Sequence, residues 1–379
     1  MTILTKTPTP NFKQLSAITH PPGPLMILAG AGTGKTFTLE NRIVYLIEHY
    51  KVNPKNILAI TYTEKAAREL KTRIVNRVGS YAHTMTVNTF HSFCFGILKE
   101  FGDGSLPQLF DESEAIHMLL ERFDEIQFES DEFPLDPQRA VTDSLIPFFN
   151  RMRDELIDPG KMDIPDVDED GLMTEEIANQ LRDIKNIYPQ FQDWKKRINV
   201  VDYGDMILSA YKLLKSDPLV LKKVQDQFRH IIVDEFQDNN YALNEIIALV
   251  AGERKYITVV GDDDQVIYSF RGANSYNIQA FKDRYGHHPE FLPVSLEENF
   301  RSTQPILNIA NESIKNNVDR MEKTLLSKVD TGLIMPVRFW GNKNEQVEFI
   351  VREILTLVEN GQKYSDIAVL CRTHSQSAT

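Results

Sequence analysis

A chain of 379 residues with 42% apolar and 25% charged side chains, 18 glycines and 18 prolines has the make-up of a folded protein of roughly two to three domains, which excludes a disordered, fibrous or miniprotein reading. Its two cysteines, Cys94 and Cys371, form no CxxC pair, so no zinc ribbon, iron–sulfur site or disulfide framework is legible, and a reducing, cytoplasmic setting is expected. The net charge of −12 argues against a polyanionic partner only on average: residues 111–176 hold 21 acidic and 5 basic side chains, a local −16, which leaves +4 on the other 313 residues.

In chain order, the N-terminal stretch lacks the apolar core of a signal peptide, and no apolar run nears the ~18 residues needed to span a bilayer, so no membrane association is expected. Short apolar or β-branched runs at Leu25 to Leu28, Ile57 to Thr63, Ile231 to Val233 and Tyr256 to Val260 read as buried parallel strands. Helical patterns at Lys35 to His49, Lys65 to Val78 and Asn240 to Val250 lie between or after them. Strand followed by helix, repeated, predicts an α/β doubly wound parallel sheet. Residues 101–200 break this pattern with acids, prolines and helical segments such as Glu114 to Phe128, and predict a mostly helical, acidic insertion. Beyond Asn299, strands at Val337 to Trp340 and Ile367 to Leu370 around a helix at Gln346 to Glu359 predict the start of a second α/β unit.

The chemistry-bearing residues follow the strands. Ala29-Gly30-Ala31-Gly32-Thr33-Gly34-Lys35-Thr36, between a strand and a helix, is a phosphate loop with alanine at the usual first glycine. Its glycines let backbone N–H groups turn toward phosphate oxygens, Lys35 reaches the terminal phosphates, and Thr36 can hold Mg²⁺. The second strand end, His230-Ile231-Ile232-Val233-Asp234-Glu235, supplies two adjacent acids. Asp234 suits Mg²⁺, and Glu235 suits orienting and deprotonating an attacking water. ATP and Mg²⁺ are the expected ligands.

Four further blocks stand in order around these: Thr61-Tyr62-Thr63-Glu64-Lys65-Ala66-Ala67, Asn88-Thr89-Phe90-His91-Ser92-Phe93, Val260-Gly261 through Gln265 to Phe270-Arg271-Gly272-Ala273, and Leu296-Glu297-Glu298-Asn299-Phe300-Arg301-Ser302. In this order and spacing, from residue 14 to residue 302, the chain resembles the superfamily 1 DNA helicases of the UvrD/Rep/PcrA type. A generic P-loop kinase or GTPase would leave residues 261–273 unexplained.

The resemblance implies a P-loop (RecA-like) motor domain of residues 1–100 and 201–298, the insertion 101–200 within it, and part of a second RecA-like domain at 299–379. It implies that Gln14 reads adenine, that Gln265 and Arg301 touch the γ-phosphate, and that Phe300, where the family more often has tyrosine, stacks on the base. It also implies contacts to single-stranded DNA from Thr61, Tyr62, Asn88, His91, Phe270 and Arg271. Read alone, an aromatic after a buried strand is more often core than platform; as platforms, Tyr62 and Phe270 would each add roughly 1 to 3 kcal/mol per stacked base. Asp202-Tyr203-Gly204-Asp205 is expected to mark the return from the insertion, since Lys35 and Asp234 stand 199 positions apart.

The expected activity is that of an ATP-dependent helicase or translocase moving 3′ to 5′ on single-stranded DNA and at duplex junctions, in replication or repair. Because the family's later blocks, including a further arginine of the ATP site, are absent, the chain is expected to be the N-terminal part of a longer or split helicase, with a C-terminal half or repair and replication proteins as partners. The alternatives are the motor part of a helicase-nuclease and a nucleotide-dependent DNA-binding module that does not unwind.

Overall fold

The structure, a computed structural model, describes residues 9–102, 104, 107–167, 173–266, 276–317, 320–329, 338–371 and 373. Residues 1–331 and 332–379 form two compact units. The first is organised by a six-stranded, wholly parallel sheet of β1 (Leu25–Ala29), β2 (Ile57–Thr61), β3 (Thr86–Thr89), β6 (His230–Val233), β7 (Ile257–Gly261) and β8 (Leu292–Leu296). Across the sheet the order is β3-β2-β6-β7-β1-β8.

Strand residues alternate between two cores, as the two-residue period of a pleated strand requires. Leu25, Ile27, Ala29, Ile57, Ala59 and Ile232 pack with the helices α1 (Phe12–Thr19), α2 (Lys35–Glu48) and α3 (Glu64–Val78). Met26, Leu28, Leu58, Ile60, Ile231 and Val233 face the opposite way, toward α4 (Phe90–Phe101) and the helices Tyr203–Ser216 and Tyr241–Ala251. Both faces are covered, which explains why the strands read as unbroken apolar runs. Two sheet strands escaped sequence reading. Thr86–Thr89 carries only one aliphatic residue, and Leu292–Leu296 contains Pro293, which is tolerated because β8 is an edge strand.

The insertion has its own core, in which Leu119, Val141, Phe149, Ile187 and Phe191 are fully enclosed. Its stem is a two-stranded parallel pair of β4 (Gln108–Phe110) and β5 (Val200–Asp202). The predicted helix from Glu114 to Phe128 is instead Glu112–Glu121 followed by a 3-10 turn, Phe123–Glu125; Asp111 starts it earlier by capping the Glu114 amide.

After β8, two short strands, β9 (Glu298–Asn299) and β10 (Leu326–Ser327), pair with each other, and the helix Gln304–Ile314 lies between them in sequence. In the 332–379 unit the helix Lys343–Glu359 forms, with Asn342 accepting from the Glu345 amide at 3.0 Å and the Trp340 ring tilted against Phe349 with centroids 4.8 Å apart. The strands expected at Val337 to Trp340 and Ile367 to Leu370 do not form: 338–340 and 367–370 are irregular, and Val337 lies outside the described residues. A strand exists only with a ladder partner, and no other strand is found among the described residues of this unit. Among the described residues, no helix is long and apolar enough to cross a membrane.

Candidate functional site

A parallel sheet brings all its strand ends to one edge, and ligands of such sheets bind there. The phosphate loop follows β1, Tyr62 follows β2, His91 follows β3, Asp234 and Glu235 follow β6, Gln265 follows β7, and Phe300 and Arg301 follow β8 and β9. Blocks separated by well over two hundred positions, 268 between Ala31 and Asn299, are thereby gathered on one rim.

In the loop, Gly32 (φ 77°) and Gly34 (φ 86°) hold left-handed conformations that a side chain would resist. The loop closes on itself through the Thr33 hydroxyl, which donates to Gly30 O at 2.7 Å. Helix α2 begins at Lys35 with no side-chain cap from Gly34, so the amides of its first turn have no intrahelical partner and remain for an anion. Thr36 is exposed on that turn, and Ala29 is the buried last residue of β1.

Lys35 Nζ lies 3.0 Å from Glu235 Oε2, which joins the loop to the acid pair across the intervening β7. Glu235 itself has φ 50°, a left-handed backbone unusual for a side-chain-bearing residue and the kind of local strain that gathers at functional sites. Burial and the adjacent Glu235 charge push the Asp234 carboxyl up to about 6 while Lys35 pulls it down. Asp238 is likewise pushed up to about 6 by burial and by Glu235, and its Oδ1 is buried without a hydrogen-bond partner. Three carboxylates thus share one ammonium. This surplus of partly buried negative charge, with an orphaned oxygen on Asp238, fits a divalent cation, and Thr36 and Asp234 are the donors suited to Mg²⁺.

Around this centre the structure adds residues that sequence reasoning quoted but left without a role. Gln237 is buried; its Nε2 donates to Glu235 Oε2 at 2.9 Å, and its Oε1 accepts from the Asp262 amide at 3.0 Å. Asp262 in turn accepts from Gln265 Nε2. Lys35, Glu235, Gln237, Asp262 and Gln265 therefore form one continuous polar relay. An amide two positions after the acid pair was the available signal for Gln237. Asn299, also buried, donates to Ala31 O at 2.5 Å and accepts from the amides of Arg301 (2.9 Å) and Ser302 (2.7 Å). The Phe300 amide donates to Gly32 O at 2.9 Å. The Phe300–Arg301 turn is thus laid directly on the phosphate loop, with the Phe300 ring half exposed and the Arg301 guanidinium without an ion-pair partner among the described residues.

Gln14 is also at the loop, buried, but its amide is engaged: Nε2 donates to Thr33 O at 3.1 Å, and Oε1 accepts from Asn11 N at 3.0 Å in the capping box of α1. Arg42, fully buried on α2, fixes the end of α1 by donating to the carbonyls of Ile18 (3.1 Å), His20 and Pro21 (3.2 Å).

Of the six expected DNA-contacting residues, four are described. Tyr62 is 38% exposed, His91 is exposed and Asn88 is half-buried. Thr61 is 2% exposed and its hydroxyl donates to Thr63 O at 3.1 Å, so its side chain shapes the turn instead of offering a surface. Glu64 ties the turns after β2 and β3 together by accepting from Thr89 Oγ1 (3.0 Å) and Ser92 Oγ (2.6 Å). Tyr203, an exposed aromatic at the return from the insertion, packs edge-on against His91 at 4.7 Å. Phe270 and Arg271 lie outside the described residues.

Comparison with known proteins finds that residues 10–286 match the sequence pattern of the UvrD/REP helicase N-terminal domain and residues 294–379 that of the UvrD-like helicase C-terminal domain. The chain is 36% identical over 376 residues to the ATP-dependent DNA helicase PcrA of Staphylococcus aureus, covering 97% of this chain and 48% of that protein. It is 35% identical over 370 residues to the PcrA of Staphylococcus epidermidis, with the same coverage. The chain thus spans about half the length of the curated relatives it matches.

Proposed function

The chain belongs to the UvrD/REP helicase family, and from that premise we propose that it is the ATP-binding part of a DNA helicase or translocase that moves 3′ to 5′ along single-stranded DNA. Residues 1–100 and 201–298 would be its first motor lobe, 101–200 the insertion and 299–379 part of the second lobe. The observation that carries the reading is the relay from Lys35 through Glu235, Gln237 and Asp262 to Gln265, set at the rim where Arg301 also lies.

The reaction follows from the positions. The loop amides and Lys35 hold the triphosphate, so that Lys35 exchanges Glu235 for a phosphate oxygen and frees the carboxylate. Glu235, still oriented by Gln237, accepts a proton from a water that attacks the γ-phosphorus, and the bond to the bridging oxygen breaks to give ADP and phosphate. Mg²⁺, held by Thr36 and Asp234, would neutralise charge on the β- and γ-phosphates. Arg301 is suited to the γ-phosphate, because a guanidinium binds its oxygens with two parallel hydrogen bonds. Gln265 senses whether that phosphate is present, and Phe300 offers an exposed ring to the base. Gln14 would have to turn its amide away from Thr33 O to read adenine.

The strand lies along the same rim on Tyr62, Asn88 and His91, with Phe270 and Arg271 as further contacts, and alternate opening and closing of the lobes turns the cycle into steps. The test is ATP turnover with and without oligo-dT. Single strands should raise turnover, and Glu235→Gln should remove at least about a hundredfold of it while leaving nucleotide affinity intact. Nucleotide affinity that survives Lys35→Ala unchanged would refute the pocket; strand binding without turnover in the unaltered protein would favour a binding module over a motor.

A further inference from the structure

Asp262, Asp263 and Asp264 follow β7 and bring three carboxylate oxygens within 4.8 Å of one another, the donor set a hard cation would take. The chain supplies its own cation. Lys323 Nζ stands 2.8 Å from Asp262 Oδ1, 2.5 Å from Asp263 Oδ1 and 2.7 Å from Asp264 Oδ2, with its side chain only 2% exposed. Arg320 adds a two-pronged pair, Nε and Nη2 each 2.7 Å from an oxygen of Asp264, and the Met321 amide donates to Asp263 Oδ2 at 2.5 Å. Burial pulls the Lys323 ammonium toward neutrality, but the Asp262 charge and hydrogen bonds to all three aspartates outweigh it and raise its pKa, so the ion cluster stays charged.

The location of the cluster gives it a consequence. Asp262 divides its carboxylate, with Oδ1 on Lys323 and Oδ2 on Gln265, while its amide is held by Gln237 of the acid-pair turn. Lys323 and Arg320 sit on the return from the helix Gln304–Ile314 to β10, the segment whose start, Asn299 to Ser302, rests on the phosphate loop and whose Leu325 packs over Gly30. Three carboxylates gripped by one ammonium cannot follow small displacements independently, because the buried contacts are lost together when the ammonium moves.

We propose that Lys323, supported by Arg320, is a positioning residue that fixes the Asp262–Gln265 turn, so that the aim of Gln265 at the nucleotide depends on where the segment carrying Arg301 stands. The inference rests on the proposed role of Gln265 at the γ-phosphate. A displacement of that segment by strand or partner is then passed to the pocket through the ion cluster, with no need for a change at Lys35 or Glu235.

Two measurements separate the clasp from the functional reading. In Lys323→Met, which keeps length and removes charge, hydrogen exchange of the 262–265 amides in the nucleotide-free protein should speed up by at least about tenfold. In the same variant, affinity for a fluorescent ATP analogue should stay within about twofold, strand-stimulated kcat should fall at least about tenfold, and Lys323→Arg should recover part of the loss. Asp263→Asn, which withdraws one of the three carboxylate charges, gives the same pattern in weaker form and serves if Lys323→Met does not fold. Unchanged exchange overturns the clasp whatever the turnover, and loss of analogue binding in step with kcat overturns it in favour of a purely structural role. Turnover that oligo-dT fails to raise in the unaltered protein counts instead against the motor, and the exchange measurement still judges the clasp.

Discussion

The insertion is fastened to the sheet-bearing core by a buried charge tetrad whose disruption has a calculable cost. Arg153, from the helix Ile146–Asp154, donates through Nη1 to Asp202 Oδ1 (2.7 Å) and Asp205 Oδ1 (2.8 Å). Lys195, from the helix Glu175–Arg197, reaches Asp202 Oδ2 at 2.7 Å and also Asp205. The two acids form the capping box of the helix Tyr203–Ser216, and all four side chains are buried. Burial pulls the Asp202 pKa up, but Arg153 and Lys195 more than reverse it and hold the carboxylate well below the usual range. At 2.7 Å one ammonium–carboxylate contact is worth roughly 6 kcal/mol at an effective dielectric of about 20, most of which offsets the loss of hydration. Lys195→Met leaves two buried carboxylates on one guanidinium, so the expected loss is that of an uncompensated buried charge, roughly 3 to 5 kcal/mol. Urea unfolding at pH 7, followed at Trp194 in the insertion core, measures it. Pairing Lys195→Met with Asp205→Asn should restore a substantial part, since the imbalance is removed. A single-variant cost below about 1 kcal/mol, or a double variant no better than the sum of the singles, would refute the reasoning.

Asn299→Ala removes the donor to Ala31 and leaves the amides of Arg301 and Ser302 without their acceptor; at roughly 1 to 3 kcal/mol per stranded group it should misplace Arg301, and steady-state kinetics should show kcat reduced more than KM is raised. His230, stacked on Tyr256, is pushed down to about 4 by burial and by Arg42, Arg229 and Arg254. The unfolded chain therefore takes up a proton between about pH 6.5 and 4 that the folded one refuses, and acidification through that window should cost roughly 3 kcal/mol. His230→Phe should lose less stability over the same window in denaturant titrations; identical pH profiles would contradict the assignment. Burial pushes the Cys94 thiol up to about 12 whereas Cys371 is exposed, so a thiol reagent should modify Cys371 rapidly in the native protein and Cys94 only at the rate of unfolding.

The parts of the fold legible in the sequence are those decided by neighbours in the chain. Strands β1, β2, β6 and β7 announce themselves because sheets covered on both faces demand continuous apolar runs, and the loop and acid pair stand beside them because the chemistry needs a strand end. β3 and β8 lack that composition and become strands only because a neighbouring ladder is waiting for them. The stretch 367–370 has the composition but no ladder partner among the described residues, and it stays irregular, as does 338–340.

The same division runs through the candidate site. Lys35, Thr36, Asp234 and Glu235 are set by local spacing, and the acidity of residues 111–176 by composition alone. Tertiary structure decided that Gln237 links Glu235 to Asp262, that Asn299 rests on Ala31, that Gln14 is engaged by Thr33, and that the ammonium of Lys323 fills the gap between three aspartates. Backbone propensity and hydrophobic period act over a few residues and can be read in order, whereas a hydrogen bond between positions tens or hundreds apart exists only once the sheet has brought their strand ends to a common rim.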